Sequence, residues 1–468
     1  MGDGHDVYYV VLHRKKGSDS RDAIGLSGGL HQAKLEKPKK QGVNINPSSS
    51  AKPISAFALL FKDVVAAIDV YRSLDETIAL LRKDGSELNI RIHFDPVISK
   101  FAKKEHTDDE RVIYSFDRTH TQEILSALAK TTRGMTGLRR LPRLLLIGLV
   151  SEYDVFLSEL IRKVIVLRPQ RLAGSDKVDA SQVLEFSSKD DAREYLIERE
   201  VDSIMVQNHL DQLEELSKLS GATIDVKDEA VRKFLEICER RNLFAHTGGL
   251  VSGRYIRKCN SFNIQPEKWI KPGVEIHLDR KYFADAVATV EELCIKLCHF
   301  IWHKVAPQEH ELADATIHEA CLDLIRVGDT GIARRILRYV TNQTKISNEV
   351  MHLRFILLYA TALKLCGDIE LACQELDKNK KGWAITEARY RILVAAIKDN
   401  KEAVFRLIES VAKSGQVTLE NFRTWPAFGT LRSDLAFQEH IRKAFGKELI
   451  VGSNLPAAST EPAQVGTS

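Results

Sequence analysis

The chain has 468 residues, a length that predicts about three domains rather than one. Hydrophobic residues make up 44% of it and charged residues 28%, which is the ordinary composition of soluble globular proteins. The net charge of +4 is small for this length, which excludes a protein that coats nucleic acid over its whole surface. Any contact with RNA must therefore come from a local basic patch.

The cysteines are seven in number, scattered, and without a CxxC pair, so we expect reduced thiols in a reducing compartment. The N-terminal sequence MGDGHDVYYVVLHRKK lacks the basic-then-apolar order of a signal peptide. The longest uncharged apolar stretch, Phe355–Leu363, is far too short to span a membrane. We therefore expect a cytoplasmic protein with no membrane contact.

Residues 1–52 are predicted to form a flexible arm. Positions 17–52 are rich in Gly, Ser, Lys and Pro and show no hydrophobic period. Before them, Tyr8–Leu12 has the pattern of a short strand. The arm carries Lys34, Lys37, Lys39 and Lys40. We interpret it as a solvated linker, with a weakly RNA-attracting tail as the alternative.

Residues 53–142 are predicted to form a small α/β unit followed by a basic linker. A helix begins near Pro53 and runs to Asp84–Gly85, and strand-like runs follow at 88–95 and 111–117. The segment TTRGMTGLRRLPR at 131–143 has four arginines and no acid. We interpret it as a linker, with a phosphate-contacting patch beside an active site as the alternative.

From Leu144 onward the pattern is helical, and residues 143–306 are predicted to form one helical domain. Short extended pieces are indicated only at Gln182–Phe186 and Val274–His277, and Pro307 closes the region. The predicted helices span about 145–168, 188–200, 202–220, 228–246 and 280–304.

A weak internal repeat marks residues 311–446. Turns at Gly328–Asp329, Gly367–Asp368 and Asp399–Asn400 each precede a helix, and Ala333, Ala372 and Ala403 lie close behind. The turns are 39 and 31 residues apart, which straddles the helix-pair repeat of about 34 residues. We predict a tetratricopeptide-like solenoid that binds a partner chain or organises an oligomer. An ordinary helical bundle is the alternative.

The end of this repeat region carries three aromatic residues that would cap its core: Trp425, Phe428 and Phe437. Beyond them, residues 447–468 are predicted to be a disordered tail.

The segment 228–247 carries the candidate chemistry. Stepping about 100° per residue along it places its apolar residues, Ala245 among them, on one arc, and Glu236 and Arg240 on the side that faces water. Arg241 and Asn242 break this order because they lie on the apolar arc, and His246 lies at its edge. Leu243 is apolar on the water side, which suggests contact with another surface.

Two interpretations of these polar residues stay open from the pattern alone. A buried guanidinium must be paired or face an interface, and polar groups in place of core residues often mark a functional site. The alternative is an Arg–Asn hydrogen-bond network that only fixes helix packing.

The string CERRNLFAHTGGLVSGRYI strongly resembles the RNase LS/RiboL-PSP-like branch of the HEPN superfamily. The residues that carry the resemblance are Arg240, Arg241, Asn242, His246, Gly248, Gly249 and Tyr255. It extends to SEYDVFLSELIRKVI, where Asp154 matches the acidic residue of the family's first helix, and covers about 144–305. The family often has Glu in place of Asp154 and Asn in place of Thr247.

The resemblance implies a homodimer in which arginine and histidine from two chains line one cleft. RNA would supply its 2′-hydroxyl as the nucleophile, leaving a 2′,3′-cyclic phosphate and a 5′-hydroxyl. His246 would move protons, since histidine ordinarily titrates near about 6.5. Arg241 would clamp the phosphate, and Asn242 would orient His246 or the phosphate. Asp154, which helical stepping also places on the apolar side of its own helix, would hold Arg241 in place. Arg240 and Tyr255 would support the site.

No metal or cofactor is expected from the sequence. In CIKLCHFIWH at 294–303, the Cys294/Cys298 pair and the His299/His303 pair diverge around one helix, so we interpret them as core residues and not as a zinc site.

The sequence therefore predicts a mainly α protein with a HEPN helical bundle, a helical-repeat domain and a small N-terminal α/β segment. The expected function is metal-independent endoribonuclease activity on RNA, in stress response or phage defence by the habits of the family. The alternative is a non-catalytic scaffold that dimerises and recruits protein partners.

Overall fold

The computed structural model describes residues 55–107, 112–116, 118–170, 186–342, 345–379, 382–383 and 386–449, together with four short strands near the N-terminus. These strands are β1 (Tyr8–Tyr9), β2 (His13–Arg14), β3 (Ile24–Gly25) and β4 (His31–Gln32). β1 pairs with β4, and β2 with β3, both antiparallel. The rest of the predicted arm, including most of Tyr8–Leu12, lies outside the described residues.

The described chain beyond the arm is mainly helical, as predicted. The helices before the repeat region are α1 (Ala56–Asn89), α2 (Asp95–Phe101), α3 (Thr121–Leu167), α4 (Lys189–Met205), α5 (His209–Ser220), α6 (Glu229–Thr247), α7 (Gly253–Ser261) and α8 (Arg280–Val305). Those of the repeat region are α9 (His310–Val327), α10 (Thr330–Thr341), α11 (Glu349–Leu365), α12 (Ile369–Asp377), α13 (Ala388–Ile397), α14 (Lys401–Lys413), α15 (Leu419–Thr424) and α16 (Leu435–Phe445).

The predicted strand at 88–95 is wrong. α1 continues through Asp84–Gly85 to Asn89, and a π-helical turn, Ile90–Phe94, leads directly into α2. An alternating pattern holds a strand only where one face is buried, yet Ile92 is 56% exposed. The predicted strand at 111–117 is confirmed as β6 (Val112–Phe116), which pairs antiparallel with β5 (Ala102–Thr107).

The segment 131–143, interpreted from the sequence as a linker, is part of α3, which runs through it without a break. The helix continues although the segment contains Gly134, Gly137 and Pro142, and Thr131 and Pro142 are buried on its packed side. Packing of this kind overrides the weak local preference of single glycine and proline residues.

The main apolar core is built around α3 and α8. It extends from Phe57 of α1 to Ala427, which lies beyond α15, so it crosses from the predicted 143–306 domain into the repeat region. Trp302 of α8 is fully buried, stacks on Phe57 at 5.7 Å between ring centroids, and donates a hydrogen bond to Glu309 at 2.6 Å.

The three predicted turns of the repeat region share one backbone geometry. Gly328, Gly367 and Asp399 have φ of 98°, 89° and 54°, the left-handed conformation that ends a helix. In each turn the next N–H donates to a carbonyl five residues back: Asp329 to Leu324, Asp368 to Leu363 and Asn400 to Ala395, at 2.8–2.9 Å. The internal repeat is therefore a repeat of structure as well as of sequence.

A second apolar cluster closes the C-terminal part of the described chain. Phe428 and Phe437 are fully buried in it, with Trp425 packed against it, as the sequence predicted for core residues. Leu449 is buried in the same cluster, so the prediction of a disordered tail from 447 is wrong for this residue. Residues 450–468 lie outside the described residues.

All seven cysteines are free thiols, five of them buried. Within the described ranges, no helix is both long enough and apolar enough to cross a bilayer.

Candidate functional site

Helix α6 carries the predicted motif, and its ends follow from local capping. The Asp228 side chain accepts a hydrogen bond from the Ala230 amide at 2.8 Å and caps the first turn. Gly248, with φ of 65°, ends the helix, and its amide bonds to the Leu243 carbonyl. The prediction of a helix over 228–246 is confirmed to within one residue.

The second glycine of the turn is fixed by the chain that folds over it. Gly249 has φ of 100°, and a side chain there would lie 2.8 Å from the Ile276 carbonyl oxygen. Leu250 forms a bridge with Glu275, and the Val251 amide donates to the Val274 carbonyl at 2.9 Å. The predicted extended piece at 274–277 therefore covers the last turn of α6.

The predicted faces of α6 are wrong in part. Leu243 is buried, in agreement with its predicted contact with another surface, whereas Ala245 is exposed although it was assigned to the apolar arc. Glu236 is also buried, and the Arg240 side chain is only 12% exposed. The residue pattern of a single helix predicts its buried face but does not show which later segments of the chain pack against it.

Arg241 lies at the centre of a polar cluster on the remaining side of α6. Its Nη2 is 3.4 Å from Asp154 Oδ2 of α3, and its Nη1 donates to Asn242 Oδ1 at 3.2 Å. The other Asp154 oxygen is 3.1 Å from Nε2 of His209, the first residue of α5. The structure therefore brings Arg241, Asn242 and Asp154 together, as predicted, and adds His209.

Arg241 uses its hydrogen-bonding capacity only in part. Among the described residues its buried Nε has no hydrogen-bond partner, and both of its other bonds are long. Its side chain is 21% exposed, so the guanidinium is open to a ligand from one side. A charged guanidinium with long hydrogen bonds and an exposed end can bind an anion through that end.

This cluster lines an open groove of about 360 Å³. The groove is also lined by Arg254 and Lys258 of α7, neither of which forms an ion pair with a described residue. Glu239 and Asp154 are its acidic members. With three Lys or Arg side chains against two carboxylates, the groove favours an anionic ligand.

His246 lies one turn beyond the groove, on the exposed end of α6. It forms no hydrogen bond or ion pair with any residue that the structure describes. Next to it, Arg143 Nη1 of α3 donates to the Gly248 carbonyl at 3.2 Å. Within one chain, His246 and Arg241 therefore do not share a pocket.

The basic stretch at 131–143 lies near this end of α6 through Arg143. Arg133, Arg139 and Arg140 are exposed on the same helix, and none of them forms an ion pair inside the described ranges. An exposed run of unpaired arginines beside a functional helix fits the alternative interpretation of this segment as a phosphate-contacting patch.

The predicted supporting residues Arg240 and Tyr255 lie elsewhere, in a buried network around Glu236. Glu236 accepts hydrogen bonds from Arg240 Nε at 2.8 Å and from the hydroxyls of Tyr255 and Tyr282 at 2.5 and 2.6 Å. The Arg240 guanidinium also stacks 3.9 Å from the Tyr282 ring centroid. Neither residue lines the groove, so both support the site only through the packing of α6, α7 and α8.

Burial and the shared carboxylate control the protonation of this network. Burial and the nearby Glu236 raise the pKa of Tyr255 and of Tyr282 well above the usual range, so both hydroxyls stay protonated and donate. Burial lowers the pKa of Arg240, but the Glu236 carboxylate and the hydrogen bond to Tyr255 outweigh it, so that pKa is raised and the guanidinium stays charged.

Sequence reasoning missed His209, Arg254 and Lys258. The position of His209 could have been predicted, because Asn208 is a capping residue and places His209 at the start of α5. Nothing in the local pattern indicates that α5 and α7 both turn toward α6, so the groove itself was not predictable.

A larger cavity of about 690 Å³ lies between α6, α8 and α10. It contains neither Arg241 nor His246, and its charges are largely paired, for example Arg335 with Glu292 and Lys296 with Glu292. Its volume alone does not make it a better candidate than the groove, since it contains none of the predicted catalytic residues.

No family model, curated protein or solved structure matches this chain.

Proposed function

We propose that this protein is a metal-independent endoribonuclease of the HEPN type, active as a homodimer. The observation that carries the proposal is the Arg241 guanidinium, which is held by Asp154 and Asn242, opens into a basic groove and keeps a buried Nε–H without a partner among the described residues. The partly exposed end of this guanidinium would donate to a phosphodiester oxygen bound in the groove.

The chemistry requires no group beyond the side chains and the RNA. The 2′-oxygen of the ribose forms a bond to the adjacent phosphorus, and the bond from phosphorus to the 5′-oxygen breaks. A general base takes the proton of the 2′-hydroxyl, and a general acid gives a proton to the leaving 5′-oxygen. His246 is assigned to these transfers, and Arg241 stabilises the charge on the phosphoryl oxygens.

The dimer is part of the proposal because His246 lies outside the groove of its own chain. In HEPN proteins the motif helices of two chains meet, so Arg241 and His246 of both chains would line one cleft. The side chain of His246 is exposed and has no hydrogen bond to a described residue, which leaves it available to a second copy.

The arrangement of positive charge supports RNA as the ligand. Arg254 and Lys258 line the groove together with Arg241, while Arg139, Arg140 and Arg143 lie on the helix that contacts the end of α6. These residues would hold the backbone of a single strand on either side of the scissile phosphate. We further propose that the protein is cytoplasmic and acts in stress response or phage defence.

A second candidate function is a non-catalytic scaffold. It is favoured by the repeated helix turns after α9, which are typical of helical-repeat proteins that bind a partner chain on one face. We propose tetratricopeptide-like repeats over 311–446 in either case, and the two functions differ only in whether the groove on α6 cleaves RNA.

In the presence of EDTA, the purified protein should cleave single-stranded RNA and leave single-stranded DNA of the same sequence intact. The matched control is His246→Ala, prepared in the same way, which detects contaminating nucleases. Equal cleavage by the wild type and His246→Ala, or no cleavage by either, would support the scaffold and contradict the nuclease.

A further inference from the structure

Two histidines of α8 and one aspartate of α9 converge on a single point. His299 Nε2 is 3.0 Å from Asp314 Oδ1, and His303 Nε2 is 2.8 Å from the same oxygen. The three candidate ligand atoms all lie within 4.8 Å of one another. Both imidazoles and the carboxylate therefore bring one candidate ligand atom each within the separation that ligands of a single ion have.

Burial makes the charge of this cluster unusual. Asp314 is fully buried, and its second oxygen accepts a hydrogen bond from the Ser347 amide at 2.7 Å. Within the described ranges, no lysine or arginine lies within ion-pair distance of this carboxylate; its only ion-pair partners are His299 and His303. A buried carboxylate needs a positive partner or a metal ion, because burying an uncompensated charge is costly.

The ligand set and its spacing fit zinc. Zinc is bound by imidazole nitrogen and carboxylate oxygen at about 2.0–2.2 Å, which puts ligand atoms about 3.3 Å apart at the corners of a tetrahedron. The observed 2.8 and 3.0 Å separations need only a slight opening to reach that value. The Ser347 amide would orient the coordinating carboxylate through its second oxygen, as outer-shell donors do in metal sites.

We propose that His299, His303 and Asp314 bind one Zn²⁺, with a water molecule in the fourth position. The ion joins the end of α8 to α9 and, through Asp314 and Ser347, to the residues before α11. Its role is structural: it fixes the first repeat helix against the helix bundle. Neither histidine nor the aspartate lines the groove on α6, so this site is separate from the proposed nuclease chemistry.

The two cysteines and two histidines of 294–303 diverge around one helix, as the sequence predicted, so they cannot all bind one ion. His299 and His303, one turn apart, still form half of a site, and the missing ligand comes from Asp314 on the next helix. Cys294 and Cys298 are buried core thiols and take no part.

The zinc content of the full-length protein, purified without a histidine tag, tests the proposal. Mass spectrometry of the metals should find about one zinc per chain in the wild type, and about a tenth of that or less in Asp314→Asn and His303→Gln. His440→Gln, a histidine that stacks on Phe405 in the second cluster, is the control and should keep the zinc.

A second measurement uses only the wild type, in case the variants fail to fold. Protein freed of metal by dialysis against a chelator, and shown to be helical by circular dichroism, should bind Zn²⁺ and gain several degrees in Tm when it is added. Zinc-free protein whose Tm does not respond to Zn²⁺, or zinc that remains in both variants, would overturn the proposal. The cluster would then be a hydrogen-bonded Asp–His–His network without metal.

Discussion

Arg241→Ala should lower kcat/KM for RNA cleavage by about 100- to 1000-fold, the usual cost of removing one group that stabilises charge in the transition state. The guanidinium is the only group in the described groove that both contacts Asp154 and keeps an unused buried donor. Steady-state cleavage of a fluorescent single-stranded RNA measures the effect. Circular dichroism and the Tm of each variant establish that the fold is retained.

Two companion variants separate charge from geometry. Arg241→Lys keeps the positive charge but loses the planar fork of donors, so we expect only partial recovery of activity. Arg326→Ala removes an exposed arginine that pairs with Asp323 on α9, and it should cleave at the wild-type rate. Wild-type activity in Arg241→Ala would remove this residue from the catalytic site.

Glu236→Ala should lower the free energy of unfolding by about 3–5 kcal/mol, the usual cost of removing one partner of a buried ion pair. The substitution leaves the Arg240 guanidinium and the hydroxyls of Tyr255 and Tyr282 without their shared acceptor. It also leaves a cavity where α6, α7 and α8 meet. Urea unfolding followed by circular dichroism measures the change as a lower midpoint.

Glu229→Ala is the matched control on the same helix. Glu229 pairs with Lys233 one turn away, both largely exposed, so its loss should cost about 1 kcal/mol or less. Glu236→Gln keeps an acceptor for the tyrosines but loses the charge opposite Arg240, and it should fall between the two. Equal midpoints for Glu236→Ala and Glu229→Ala would mean that the network contributes little.

The sequence was a good guide wherever structure depends on local signals. The ends of α6 and α8 and the three repeat turns were predictable because capping residues and left-handed turn residues act over a few positions. The run at 88–95 and the basic segment 131–143 were not, because packing on α1 and α3 decided their conformation.

The candidate site shows the same division. Arg241 and Asp154 were paired correctly because each is a polar residue on the inner face of its own helix. Glu236 was assigned to water because the pattern of α6 does not include the two tyrosines that later helices bring to it. Asp314 was missed for the same reason, since its histidine partners lie on a different helix.

The requirement for the 2′-hydroxyl tests the central claim most directly. An RNA in which one preferred cleavage site carries a single 2′-deoxynucleotide should resist cleavage at that site alone. In the presence of EDTA, its neighbouring sites should be cleaved as before. The fragments from those sites should end in a 2′,3′-cyclic phosphate and begin with a 5′-hydroxyl, as mass spectrometry would show. Cleavage at the deoxy position, or fragments with 5′-phosphate ends, would contradict the account.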